Sequence, residues 1–239
     1  MSYKVPRIDL QKEFTSPEFF NAKLTIDQQV EWCIKKDAET NHYYDEYIPY
    51  KFHLQMVMQC VKDYIKLTVT KDIKVYQKYP KLVIFDFGSA QCFIEGLEIL
   101  GHALTVSNSI FKPAGAGHDL IEDARSNYNE VKKQLGVLAA EIIRAVTNLG
   151  RGRNRDERMP DFIYEDIRET FGATFIKLCD RMANCQYSKL TKSGMLYKYR
   201  KEMPDFIHKI LGVSIDEIKK DYHHPYQNLV LDLLQIVEE

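Results

Sequence analysis

The chain has 239 residues, and its Lys+Arg 33 almost cancel its Asp+Glu 34, leaving a formal net charge of −1. That balance provides no basic field for holding nucleic acid non-specifically, and no apolar run reaches the ~18 residues that a bilayer-spanning helix needs. Hydrophobic residues at 45% and charged residues at 28% describe a globular chain with a sizeable core.

The five cysteines (Cys33, Cys60, Cys92, Cys179, Cys185) include no C-x-x-C pair. The pattern predicts reduced thiols in a cytoplasmic protein, not disulfides or a cysteine zinc site. The opening "MSYKVPRIDLQKEF" is charged and lacks the apolar segment of a leader.

In chain order, "TIDQQVEWCIKKDAE" (25–39) predicts a helix capped by Thr25, with Val30, Cys33 and Ile34 on one side. "NHYYDEYIPYKF" is an aromatic loop in which Pro49 biases Ile48 away from helix. "HLQMVMQCVKDYIKL" resumes a helical period through Met56, Val57, Cys60, Val61 and Ile65. From 69 to 90 that period fades into β-branched and aromatic residues, which predicts a short strand pair or an ordered loop. Helix is expected again over 91–106, where His102 reads as a core or surface histidine. "YNEVKKQLGVLAAEIIRAVTNL", "DFIYEDIRETFGATFIKLCDRMANCQYSKL" and "GMLYKYRKEMPDFIHKIL" carry strong helical periods. "SIDEIKK" and "PYQNLVLDLLQIVEE" close the chain, the latter with Pro225 near its helical start. With no repeat and no Gly/Ser linker, the expectation is one all-α domain with an irregular insertion at about 66–112.

The chemistry-bearing residues fall in separated pieces. "PYKFH" ends on His53 at a helix start, and "GHDLIEDA" holds His118, Asp119, Glu122 and Asp123, read as opening another helix. Such crowded acids fit either a solvated helix start or a site that holds a cation. In "KLCDRMANC", Asp180 interrupts an apolar stretch, where a carboxylate needs a partner. Arg181 offers the bland answer, an internal ion pair. Two histidines and two aspartates offer the other, a mixed N/O ligand set suited to Mn²⁺, Fe²⁺, Co²⁺ or Zn²⁺.

Taken in order, "PYKFH", "GHDLIEDA", "AVTNL" and "KLCDRMAN" resemble the HD-domain alarmone hydrolases of the RelA/SpoT group, including the small SpoT-homologue hydrolases. The family pattern runs P-Y-x-x-H, H-D-x-x-E-D-T, a V-T phrase, then K-L-A-D-R-x-x-N, and the likeness covers roughly residues 25–210. The resemblance implies a helical HD-domain bundle over 1–239, with the C-terminal helices at 211–239. It implies that His53, His118, Asp119 and Asp180 hold one divalent metal, Mn²⁺ foremost. Glu122 and Asp123 would be the catalytic acids that handle the attacking water, and Asn184 would sit near the nucleotide sugar. The implied activity removes pyrophosphate or phosphate from the ribose 3′ position of a small-molecule nucleotide such as ppGpp. An HD-type deoxynucleotide phosphohydrolase and a catalytically lapsed nucleotide-binding module are the alternatives; a homo-oligomer is compatible with either.

The departures from the pattern bear on specificity. Where the family has an Arg-Lys pair before P-Y-x-x-H, this chain has "HYYDEYIPY", with Leu54 and Ala124 replacing a Pro and a Thr. Base stacking would fall to Tyr43 or Tyr44, while Asp45 cannot bind phosphate. Arg151, Arg153, Arg155 and Arg158 in "GRGRNRDER" read as a polyphosphate clamp or as a solvated loop. "YKYRKE" and the pair His223–His224 read as surface.

Overall fold

The computed structural model describes residues 24–40, 43–44, 48–76, 109–148, 155–170 and 172–238. These residues form helices and no strand; their one β-type pairing is an isolated bridge between Tyr43 and Pro49. The all-α expectation therefore stands. Residues 77–108 of the expected insertion, with His102, lie outside the described residues, as do Asp45, Arg151 and Arg153.

Helix α1 (Ile26–Ala38) starts at a capping box, in which the Thr25 hydroxyl accepts from Gln28 N–H and the Gln28 side chain accepts from Thr25 N–H. Helix α2 spans Lys51–Tyr76 and so passes through 69–76, where the fading period predicted a strand or loop. A helix already seeded and packed through Val57, Cys60, Val61 and Ile65 propagates at little cost. Val69, Thr70, Ile73 and Val75 each oppose it by only about 0.5 kcal/mol.

Residues 109–116 form α3, which takes up most of the "FKPAGAG" run and ends just before His118. The His118–Asp119 pair thus follows a helix and does not begin one. Residues 117–123 are turns, closed by Asp123 N–H on the Asp119 carbonyl at 2.8 Å.

The long periodic stretch from 128 divides into α4 (Tyr128–Leu135) and α5 (Val137–Val146) at Gly136, whose φ is 86°. Next come α6 (Arg155–Arg158), α7 (Asp161–Glu169) and α8 (Ala173–Leu190). The chain closes with α9 (Met195–Leu211), α10 (Ile215–Lys220) and α11 (Gln227–Glu238).

Helix α8 is the central element. It packs on α2, α5, α7, α9 and α11, and its Phe175, Ile176, Leu178, Cys179, Met182 and Ala183 are fully buried. Anything α8 carries is therefore held from several sides. No helix among the described residues is long and apolar enough to cross a membrane.

Candidate metal centre

Three segments bring polar side chains to one place against α8. The first is the place where Tyr43 and Tyr44 meet the return of the chain at Ile48 and Pro49, with Tyr44 N–H donating to the Ile48 carbonyl at 2.8 Å. The return ends at Pro49, and α2 begins two residues later, so His53 stands in the first turn of α2 and points inward, 1% exposed. Tyr44 lies flat on the His53 ring, with centroids 4.8 Å apart and planes 11° apart.

The second segment is the turn after α3. Gly117 allows it to approach the core: a Cβ there would lie 2.9 Å from Leu120, 3.0 Å from Ile143 and 3.2 Å from Cys33. This packing carries His118 inside, also 1% exposed. Its Nδ1 lies 2.9 Å from the Gly115 carbonyl, a contact that requires N–H at Nδ1 and leaves Nε2 to face the centre. The third segment is α8 itself, which supplies Asp180.

The donor atoms converge. His53 Nε2 and His118 Nε2 are 3.2 Å apart, and Asp180 Oδ1 lies 3.3 Å from the first and 3.7 Å from the second. Asp119 Oδ2 lies 2.9 Å from His118 Nε2 and 4.0 Å from His53 Nε2. Ligands at about 2.0–2.2 Å from one ion sit about 3.0–3.5 Å apart along a tetrahedral or octahedral edge, and most of these separations fall near that range. His53, His118 and Asp180 can hold an ion together, and Asp119 lies beside them, its Oδ2 against His118 and Tyr50.

The electrostatics of the metal-free cluster point the same way. Burial disfavours a charged His118 ring, yet the adjoining Asp119 carboxylate, helped by Asp180, carries its pKa well above the usual value. Burial likewise opposes ionised Asp119, but the His118 charge and hydrogen bond push it down to about 2. Burial opposes ionised Asp180 as well; the Lys177 ammonium and the histidines hold it well below the ordinary carboxylate range. A proton on His118 thus supplies part of the positive charge that a cation would bring.

Further residues support the donors. Tyr50 donates its hydroxyl to Asp119 Oδ2. Asn184 donates to Asp180 Oδ1 at 2.7 Å and to the Asp180 carbonyl at 3.0 Å, while its own Oδ1 accepts from Tyr44 at 2.6 Å. That amide oxygen keeps a second lone pair for a further donor. Lys177 stands 3.3 Å from Asp180 Oδ2. Arg181, the sequence's bland partner for Asp180, turns away to Glu202 at 3.6 Å and packs between Tyr199 and Phe206.

Glu122 and Asp123 lie on the same turn as His118 and Asp119, half-buried. The Asn148 side chain and N–H donate to the two Glu122 oxygens. Burial, and then the neighbouring Asp119, oppose ionisation of the Tyr50 phenol, with Asp180 and Asp123 adding to the effect. Of the two candidate stacking tyrosines, Tyr43 is 56% exposed. Tyr44 instead has His53 on one face, Tyr187 against it edge-on at 4.4 Å, and Asn184 on its hydroxyl. Arg158 is exposed in α6, and Arg155 shares that short helix. His223 is exposed and His224 half-buried near the start of α11.

Sequence reasoning did not assign Tyr50, Asn148 or Lys177 their supporting contacts, although each stands inside a quoted motif. Only Lys177 carried a signal in its spacing: it lies three positions before Asp180, which is neighbour spacing on a helix. No protein-family model matches the chain, nor does any curated protein or solved structure.

Proposed function

We propose that the chain is a metal-dependent phosphohydrolase of the HD type, removing pyrophosphate or phosphate from the ribose 3′ position of a nucleotide such as ppGpp. The observation that carries this reading is the meeting of His53, His118 and Asp180 from three separated segments, at separations of 3.2 to 3.7 Å, with Asp119 Oδ2 beside them at 2.9 Å from His118 Nε2. Their order along the chain, with an E-D pair just after the second histidine, is that of the hydrolases the sequence resembles.

These four residues would hold one divalent ion, with Mn²⁺ foremost and Fe²⁺, Co²⁺ or Zn²⁺ compatible with the donor set. When bound, such an ion acidifies water and offsets phosphate charge. The chain's own groups do the rest. Glu122, fixed by Asn148, and Asp123 beside it orient the attacking water and take its proton. Asn184 offers its remaining lone pair to a sugar hydroxyl, and Tyr43 offers a ring for a base. The free thiols Cys33, Cys60, Cys179 and Cys185 suit a reducing cytoplasm.

The test is metal analysis of the purified chain, followed by a nucleotide screen that reads phosphate and pyrophosphate release. The expected result is about one divalent ion per chain and release from 3′-phosphorylated nucleotides. Adenine and guanine forms should be turned over comparably, because a tyrosine ring stacks on any base. A preference for 5′-triphosphates over every 3′-phosphorylated substrate rejects the alarmone assignment in favour of a deoxynucleotide phosphohydrolase. Metal uptake without turnover of any nucleotide rejects the enzyme.

A further inference from the structure

Lys177 precedes Asp180 by one helical turn on α8, and its ammonium has two partners. Nζ stands 3.3 Å from Asp180 Oδ2 and donates to the Val146 carbonyl at 3.4 Å. Val146 is the last residue of α5, where carbonyls lack intrahelical donors and the helix dipole is negative. With its side chain only 13% exposed, Lys177 is a largely buried cation wedged between a carboxylate and the end of a helix.

The two oxygens of Asp180 are thereby sorted. Oδ2 goes to Lys177, while Oδ1 accepts from Asn184 and faces the Nε2 atoms of His53 and His118. Left to itself, a carboxylate can rotate about its last bond and offer either or both oxygens to an ion. Here one side is anchored to a neighbouring helix.

We propose that Lys177 is a positioning residue of the metal centre: it holds Asp180 Oδ2 against the end of α5 so that Oδ1 alone is presented to a divalent cation. The inference rests on the metal-centre reading above and adds a determinant of that site's affinity. It also makes a prediction of definite sign. A lysine acting only through its charge repels a dication, so its removal tightens metal binding. A lysine that orients a ligand does the opposite, and loss of such a support usually weakens metal affinity about 10- to 100-fold.

The experiment titrates Mn²⁺ into the full chain and into Lys177→Met at pH 8, where carboxylates are ionised, and compares dissociation constants by calorimetry. Methionine keeps an unbranched side chain as far as Cε and removes both the charge and the donors. A dissociation constant raised about ten-fold or more supports the proposal; an unchanged or lowered one overturns it. A fall in the melting temperature of the metal-free form with unchanged metal affinity also overturns it, because the role is then only structural. Should Lys177→Met fail to fold, Lys177→Gln is read by the same criteria. A wild-type chain that takes up no Mn²⁺ overturns the metal-centre reading and this inference with it, whereas wild-type uptake matched by the variant overturns this inference alone.

Discussion

Within the turn after α3, carboxylates that look equivalent in sequence have different neighbours. Asp119 touches His118 and Tyr50, whereas Glu122 faces Asn148 at the end of α5. Glu122→Gln and Asp123→Asn should therefore keep the metal and cut turnover on the order of 10²-fold, the usual size of a lost acid–base contribution. Metal content and turnover measured on one preparation check this, and loss of metal in either variant would make that acid a ligand. The tyrosines divide in a similar way. Tyr44→Ala removes the ring lying on His53 and the donor to Asn184, so it should weaken metal binding as well as substrate binding. Tyr43→Ala should raise KM for all bases and leave metal affinity alone. The H … HD … D order could be read in the sequence as a candidate donor set, because imidazoles and carboxylates are common donors to divalent ions. The supports of that set could not, since Tyr50 meets Asp119 across 69 positions and Tyr44 meets Asn184 across 140. Periodicity carries no information at such range.

Helices were legible where one face is apolar and a cap is strong, as in α1 with Thr25. Breaks inside continuous periodic stretches were not, because the residues at fault are single glycines. Gly136 separates α4 from α5, and Gly172 opens α8 at φ 71°. Gly172 has a second reason to be glycine: a Cβ there would meet Phe111 Cε1 at 2.1 Å, and Phe111 is fully buried. Gly212, after α9, has a similar φ of 73° but meets only Arg168 Cδ at 3.8 Å. Alanine at Gly212 should cost only the left-handed backbone strain, about 1–2 kcal/mol. Alanine at Gly172 adds overpacking, for a total of about 2–5 kcal/mol. Urea denaturation of both variants checks the difference, and equal losses would show that Phe111 yields freely. Because α8 carries Asp180, Gly172→Ala should also weaken metal binding, whereas Gly212→Ala should not.

At the scale of the molecule, the donor set joins the start of α2, the turn after α3 and the middle of α8, elements far apart in sequence around one core. A ligand that binds only when all three are in place stabilises the whole fold by mass action, by about 2.7 kcal/mol at a hundred times its dissociation constant. For a chain of this length each kcal/mol moves the melting temperature by about 2–4 °C. Saturating Mn²⁺ should therefore raise it by roughly 5–10 °C, and a chelator should reverse the shift. The effect should fade on acidification, because the ion must displace protons from its ligands. The metal-free chain runs the other way around His118. Its folded pKa is raised, so its stabilising charge is present below the ordinary histidine value and is lost as pH rises through the folded one. The two forms should accordingly approach each other in stability at acid pH and separate above neutrality. Differential scanning fluorimetry across pH, with and without Mn²⁺, reads both trends, and His53→Ala should abolish the metal-dependent part. A Mn²⁺ increment that survived His53→Ala would place the ion elsewhere in the molecule.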